Sequence, residues 1–445
     1  MSEKLSLSST AILRSEPQYY NTHAVFDYRR VNTEFLNAEE SRILQCIYDK
    51  SASAREISKE IGINYKRCEK FLKHMKESGY VQGDADIEKA KPPERIRISS
   101  EAYERFTLPF LSAPASVDVF ITSRCNLLCL HCFADAGKAN AQELPLSNLK
   151  SIFDQLEKMG VLELRINGGE PLLHREVRRV LSYLGQKRFR KVLLTNGTLL
   201  DEEIALLMHE SGTIPTVSLD DSLAEGHDLF RGVKGSFRRT IAALEILQRH
   251  GIEYGINCCL QKNNLNRYEE IIGLAAKHGA ARITFLDIKP MGRIKGSSNW
   301  VPSYPEYEKV MNDLVVAKAK HREIDVSVDA FLHCTPLKES VLEARKGYVS
   351  CQAGKTRLVI DSQGLVYPCN LVVSDPRWIM GDLKKEKIWD AWFSEKWTFF
   401  RGKVRTDDLQ KCRDCRKLEK CKDFYCRFLP YLVNGNLLGP HPACA

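Results

Sequence analysis

Cys125, Cys129 and Cys132 share the short run Thr122-Ser-Arg-Cys-Asn-Leu-Leu-Cys-Leu-His-Cys-Phe133, directly after the mostly apolar stretch Ser116 to Ile121. The C-x3-C-x2-C spacing puts three thiolates on one loop at a strand end. That is enough to hold three irons of a [4Fe–4S] cube and leave the fourth iron open for chemistry. A structural zinc site asks for four closed ligands, commonly in two pairs, and no second pair lies nearby. Further along, Asn167-Gly-Gly-Glu-Pro171 follows a strand-like run. Its two glycines let the backbone approach a ligand closely and Glu170 adds a carboxylate, although a tight strand-to-helix turn would use the same residues. Eight of the fifteen cysteines lie beyond Leu332: Cys334, Cys351, Cys369, Cys412, Cys415, Cys421, Cys426 and Cys444. Clustered thiols in a reducing compartment read as metal ligands rather than disulfides.

The elements that must position these residues follow from periodicity. Candidate strands are 117–122, 162–167, 191–195, 215–219, 254–260 and 282–288, separated by amphipathic helices over 147–159, 176–185, 201–210, 237–249 and 266–278. Six strand–helix repeats imply an α/β fold with a parallel sheet, doubly wound or curved towards a barrel. A partial (β/α)6 barrel is the expectation, because the chemical motifs recur at successive strand C-termini, where barrel active sites are built. Before the barrel, Ala24–Val31 reads as an edge strand, Asn37 as the cap of a helix through Tyr48, and Ala54–Ile61 and Tyr65–Ser78 as two more helices. A wing strand begins at Gly79, completing an N-terminal winged-helix pattern. Cys46 and Cys68 fall on apolar helix faces and read as core thiols. A charged, proline-bearing linker is expected over Asp84–Arg95. The expected domains are 1–95, 96–329 and 330–445. The last is loop-rich with short hydrophobic runs, and would need metal clusters as staples.

Taken in order, Cys125/Cys129/Cys132 and Gly168/Gly169/Glu170/Pro171 resemble the motifs of the radical S-adenosylmethionine (SAM) superfamily, over roughly residues 110–300. The resemblance implies that the three cysteines hold the cluster, whose open iron chelates SAM, and that the Gly-Gly-Glu segment holds the methionine amino group. It implies that His131, before the third cysteine, lies near the adenine. Val217-Ser-Leu-Asp220 resembles the ribose-contacting segment, bringing Ser218 and Asp220 to the sugar, and Thr195–Thr198 and His227–Phe237 match further segments. Pro290-Met-Gly-Arg293 resembles a recurring turn in which Arg293 meets the SAM carboxylate; a surface ion pair is the plain reading of Asp220 and Arg293.

The tail resembles the twin-cluster extension called the SPASM domain. The resemblance implies that Cys412, Cys415, Cys421 and Cys444 close an outer cluster. Cys351, Cys369 and Cys426 would hold an inner one, with Cys334 a possible fourth ligand, giving three [4Fe–4S] clusters in all. Were Cys334 not to ligate, the inner cluster would keep an open iron for a substrate thiolate. A zinc ribbon on Cys412/Cys415 with Cys421/Cys426 is the alternative, and the adjacent Cys258/Cys259 read as structural.

The N-terminal unit has two readings. Lys66, Arg67, Lys70, Lys73 and His74 give its third helix the look of a nucleic-acid reader. The unit also resembles the leader-peptide recognition elements fused to peptide-modifying enzymes, which add an extended peptide to the edge of a small sheet. Beside the cluster motifs the peptide reading is preferred, and nucleic acid is not expected as a partner. No apolar run approaches the ~18 residues of a membrane span. The N-terminus lacks a signal-peptide core, so a cytoplasmic location is expected. The net charge of +9 permits an acidic partner without requiring one. The sequence thus reads as a radical SAM enzyme that cross-links a ribosomally made precursor peptide with a leader, taking electrons from a flavodoxin or ferredoxin. Sulfatase-maturase-like oxidation, peptide epimerisation and an iron–sulfur DNA sensor are the alternatives, and no residue stands out as the catalytic acid or base.

Overall fold

The computed structural model describes residues 4–7, 11–16, 22–27, 33–49, 51–83, 94–96, 110–137, 141–289, 291–297, 299–329, 351, 353–373, 375–401, 404–415, 426 and 428–440. The N-terminal unit contains β1 (Leu5–Leu7), β2 (Ala11–Glu16), β3 (Thr22–Asp27), β4 (Thr33–Leu36), α1 (Ala38–Asp49), α2 (Ala54–Ile61), α3 (Tyr65–Glu77), β5 (Val81–Gly83) and β6 (Glu94–Ile96). Each helix start is held by its own cap. Asn37 Oδ1 accepts from Glu40 N while Glu40 Oε2 accepts from Asn37 N. Ser53 and Glu56 form the same reciprocal pair before α2, and Asn64 caps α3. Ile43, Leu44, Ile47, Ile57, Cys68, Leu72 and Met75 are buried together, so the unit has a core of its own. β1 and β5 pair as a two-stranded antiparallel ladder over it. A second sheet has the order β4-β3-β2-β6. The strand expected over Ala24–Val31 is β3, but it lies inside this sheet rather than at its edge, because extended chain on either side pairs with both its faces of hydrogen-bonding groups. The edges are β4 and β6. Glu94 and Arg95, expected in the linker, pair with Ile12 and Leu13 in β6; the rest of that linker lies outside the described residues. Buried Arg14 on β2 ties this sheet to the barrel, its Nη1 donating to the carbonyls of Gly160 (2.6 Å) and Pro114 (3.3 Å).

The barrel strands are β7 (Ser116–Phe120), β8 (Glu163–Asn167), β9 (Arg190–Thr195), β10 (Thr213–Ser218), β11 (Gly255–Leu260), β12 (Arg282–Asp287) and β13 (Asp325–Asp329). Between them run α4 (Leu146–Lys158), α5 (Val177–Leu184), α6 (Glu202–Ser211), α7 (Ala224–Arg231), α8 (Ser236–Arg249), α9 (Tyr268–Lys277) and α10 (Tyr304–Lys320). All seven strands are parallel and lie side by side in chain order. Without a reversal of order there is no doubly wound switch point, and the sheet is a singly wound arc. One more strand is present than the six expected. The run Asp325-Val-Ser-Val-Asp329 carries the same alternation, with Val326 buried behind it. Val117, Val119, Leu164, Ile166, Val217, Ile256, Ile283 and Phe285 face the helices and form the core. The other face of the same strands carries Arg165, Asn167, Thr216, Ser218, Asn257, Thr284 and Ser327, all half-buried, so the arc encloses a polar hollow.

The tail continues this sheet. β14 (Arg357–Ile360) pairs in parallel with β7, and β15 (Leu365–Tyr367) and β16 (Gly381–Asp382) follow antiparallel, giving ten strands. The short helices α11 (Ile388–Trp392) and α12 (Phe428–Asn434) complete it. The expectation of a poorly cored tail is corrected here. Trp378 meets Phe400, Phe428 and Tyr431 edge-on, Trp392 and Trp397 are fully buried, and the Arg401 guanidinium lies 3.7 Å from the Phe110 ring centre. These aromatics sit on brief helical turns, where no long periodic run announces them. Among the described residues, no helix is long and apolar enough to cross a membrane.

Candidate active site

β7 runs straight into the loop of Cys125, Cys129 and Cys132, and several other elements at the same end of the barrel grip that loop. From β8, the amides of Gly169 and Glu170 donate to the carbonyls of Thr122 (2.8 Å) and Arg124 (2.7 Å). A Cβ on Gly169 would lie 2.2 Å from Arg124 O, so glycine is required for this close pairing. From α7, the carbonyls of Arg231 and Phe230 accept from Leu128 N and Leu130 N. From the turn after β12, Arg293 donates through Nε to Cys129 O (2.9 Å) and through Nη1 to Ala136 O (3.0 Å). A Cβ on Gly292 beside it would meet Cys132 O at 2.2 Å. Each of the three thiols lies within the electrostatic reach of the others. Burial pushes the Cys125 thiol up to about 11 and raises Cys129 as well, so loading a metal must displace protons. Among the described residues no three His, Cys, Asp or Glu side chains converge on a single metal ion. A cube makes a different demand, one thiolate for each of three irons, and an all-thiol loop with a guanidinium beside it suits that group.

That guanidinium is Arg231. Its Nη1 donates to Cys129 Sγ at 3.7 Å, and its Nε forms an ion pair with Asp220 Oδ2 at 2.5 Å. Asp220 is fully buried and also accepts from Cys259 N (2.8 Å), so the surface ion-pair reading does not apply to it. Burial would raise the Asp220 carboxyl; Arg231 first, with His131 and His227, outweighs it and holds the carboxyl below its usual range. Ser218 lies two residues before Asp220 on the hollow side of β10, opposite Asn257. His131 stacks on Phe230, ring centres 4.3 Å apart and 9° from parallel, with Trp300 packed on Phe230 in turn. Burial and the neighbouring Arg231 lower His131 to about 4, so its ring is neutral.

Glu170 is fully buried, and its carboxylate accepts from Leu172 N (3.1 Å), Thr195 Oγ1 (2.7 Å) and Asn196 N (2.7 Å). It binds the end of β9 to the Gly168–Pro171 turn. Asn196 and Thr198 in turn grip Asn126 inside the cysteine loop at 2.9 and 2.8 Å. Sequence reasoning gave no role to Asn126 or Arg231. The only hint of either was a polar residue inside a segment already matched as a motif.

In the tail, Cys369 feels the charge of Cys426 and Cys351, which brings these three expected inner ligands together. Lys289, from the turn after β12, offsets part of the upward push on Cys426 and donates to Asp287 Oδ2 at 2.6 Å. Cys412 and Cys415 share a tight turn, Cys415 N donating to Cys412 O at 2.9 Å. Cys334, Cys421 and Cys444 lie outside the described residues. Cys258 and Cys259 are buried among apolar side chains.

Residues 119–275 match the profile of the Radical SAM superfamily, and residues 351–416 match that of an iron–sulfur cluster-binding domain, SPASM. The mycofactocin maturase MftC of Mycolicibacterium smegmatis is 30% identical over 342 residues, spanning 75% of this chain and 83% of that protein. The AdoMet-dependent heme synthase of Methanosarcina barkeri is 29% identical over 348 residues, spanning 75% of this chain and 97% of its own. In fold, the chain is similar to Streptococcus suis SuiB crystallised with the precursor peptide SuiA. The TM-score is 0.74 at 16% identity, covering 99% of both chains.

Proposed function

The chain belongs to the radical SAM superfamily and carries a SPASM iron–sulfur domain, and from that premise we propose that it matures a ribosomally made precursor peptide by installing a thioether or carbon–carbon cross-link. When bound, the cluster on the first cysteine loop and SAM supply a 5′-deoxyadenosyl radical that takes a hydrogen atom from the peptide. Cys125, Cys129 and Cys132 are the ligands in this reading, and Arg231 fixes a positive charge beside Cys129. The Gly168–Pro171 turn would hold the methionine end of SAM, Arg293 its carboxylate, Ser218 the ribose and His131 the adenine. Glu170 and Asp220, whose carboxylates are committed to Asn196 and Arg231, act behind that contact surface. Cys351, Cys369 and Cys426, with Cys334, would hold an inner auxiliary cluster, and Cys412, Cys415, Cys421 and Cys444 an outer one, three clusters in total. The domain limits of 1–95, 96–329 and 330–445 belong to the same reading, as do a flavodoxin or ferredoxin donor and a cytoplasmic setting that keeps the thiols reduced.

The observation that carries the peptide assignment is the N-terminal unit. Among the described residues its strand β4 is an edge of a four-stranded sheet, the place where an added leader strand would pair. The fold likeness to SuiB extends over this unit too, since it spans 99% of both chains. A tetrapyrrole substrate is the second reading, favoured by the heme-synthase relative that is matched along 97% of its length. Such a substrate leaves the N-terminal sheet without work.

The test is anaerobic: reconstituted protein, SAM, reductant and a candidate leader-bearing precursor peptide, followed by mass spectrometry. Loss of two hydrogens from the peptide, with matching 5′-deoxyadenosine, is the expected result. Deuterium uptake from heavy water, with the peptide mass unchanged in light water, marks an epimerase instead. An untouched peptide with consumption of an added porphyrin gives the second reading, and salt-dependent DNA binding without SAM cleavage gives the sensor.

A further inference from the structure

One carboxylate in the hollow is only half used. Asp118, on β7, is 1% exposed. Its neighbours Val117 and Val119 join the helix-side core, which turns Asp118 towards the hollow. Its Oδ1 accepts from Asn167 Nδ2 at 2.6 Å and from Asn370 Nδ2 at 3.4 Å, with Arg165 Nε at 3.9 Å. Its Oδ2 is buried and meets no donor among the described residues. The same holds for Asn370 Oδ1, and the orientation of that amide is set by Asp118, since only its NH2 end can donate to a carboxylate. Asn167 immediately precedes Gly168, and Asn370 immediately follows Cys369. Two unmatched acceptors therefore lie between the turn beside the first cysteine loop and the first gathered cysteines of the tail.

Buried acceptors without donors are rare in folded proteins because nothing replaces the water they lost. We propose that Asp118 Oδ2 and Asn370 Oδ1 form a subsite for an N–H-rich cationic side chain of the substrate, a lysine ammonium or an arginine guanidinium. The chemistry selects this class. A hydroxyl side chain brings one hydrogen and a hydrocarbon none, whereas two acceptors ask for two donated hydrogens, which an ammonium or a guanidinium supplies. Among such groups a cation matches the carboxylate, whose ion pair with Arg165 is long, 3.9 Å on the Oδ1 side. The subsite rests on the peptide reading above and adds to it what the hollow selects.

Its test needs no turnover. The cluster-loaded protein, without reductant, is titrated with N-acetyl-glycyl-lysyl-glycinamide, its arginyl counterpart and its norleucyl counterpart, followed by saturation-transfer NMR. The cationic peptides should bind about tenfold or more tightly than the norleucyl one. That preference should vanish in Asp118→Asn and shrink severalfold in Asn370→Ala, which keeps the test available if the first variant fails to fold. The lysyl and arginyl arms separate the two cations. Equal binding of all three peptides, binding of none, or a preference surviving in Asn370→Ala and Asp118→Asn overturns the subsite. Formation of 5′-deoxyadenosine and modified precursor by the wild-type protein is read separately, so the peptide reading can stand while the subsite falls.

Discussion

The first cysteine loop and the tail cysteines are held by different means. The loop is gripped by the ends of β8, α7 and the turn after β12, through backbone pairs of 2.7 to 3.1 Å and the Arg293 clamp. All of those elements are anchored in the barrel core. In the tail, Cys351, Cys369 and Cys426 come from positions far apart in the chain, and Cys412 and Cys415 rest on a brief turn. What secures that region is an aromatic core around Trp378, Trp392 and Trp397, and the strand β14 laid against β7. A barrel can present a ligand set before any metal arrives, whereas a turn-borne set gains much of its order from the metal itself.

The difference can be broken or sharpened experimentally, and the largest effect is chemical. Cys129→Ala should lower 5′-deoxyadenosine formation by roughly 10³-fold or more. Because the loop is held by its backbone, the thermal midpoint of the metal-free protein should move by only about 3 °C. A collapse of the metal-free fold in this variant would show that the Cys129 side chain, and not the backbone pairs alone, holds the loop. Asp220→Ala leaves the buried Arg231 uncompensated and should cost about 3–5 kcal/mol in denaturant unfolding. The wild-type Asp220 carboxyl is held below the usual range, so its stabilising contribution is fully present above about pH 4, the unfolded value, and fades as pH falls through the lower folded value. The cost of the substitution should shrink over the same acidic window. Gly169→Ala forces a Cβ against Arg124 O and should cost about 1–3 kcal/mol while weakening SAM binding, measured by calorimetry. Smallest is the effect of stripping iron from the wild-type protein. Amide exchange over residues 404–415 and 428–440 should quicken about tenfold, with residues 190–218 unchanged.

Much of the barrel was legible in the sequence, because its strands alternate apolar and polar residues and its helices bury one apolar face. The run over 325–329 carries the same alternation but directly adjoins the change in character after about Val328. The pairing of β14 with β7 was not legible, since the two strands lie more than 230 residues apart and no local pattern links them. The Gly-Gly-Glu-Pro turn shows the other limit. Its place beside the cysteine loop could be read, but not that Glu170 turns inward to Asn196, because a motif names residues without their hydrogen-bond partners. Arg231, Asn126 and Asp118 are legible only in three dimensions, each being a polar residue defined by what it meets across the barrel.

The reading in which the first cysteine loop serves SAM cleavage while the inner tail cluster serves the peptide is tested most directly by Cys369→Ala, assayed anaerobically for 5′-deoxyadenosine and for modified precursor peptide in the same reaction. The first cysteine loop is intact in this variant. SAM cleavage should therefore continue within about threefold of wild type, while modified peptide falls below detection. Equal loss of both products, or normal yields of both, would contradict the account.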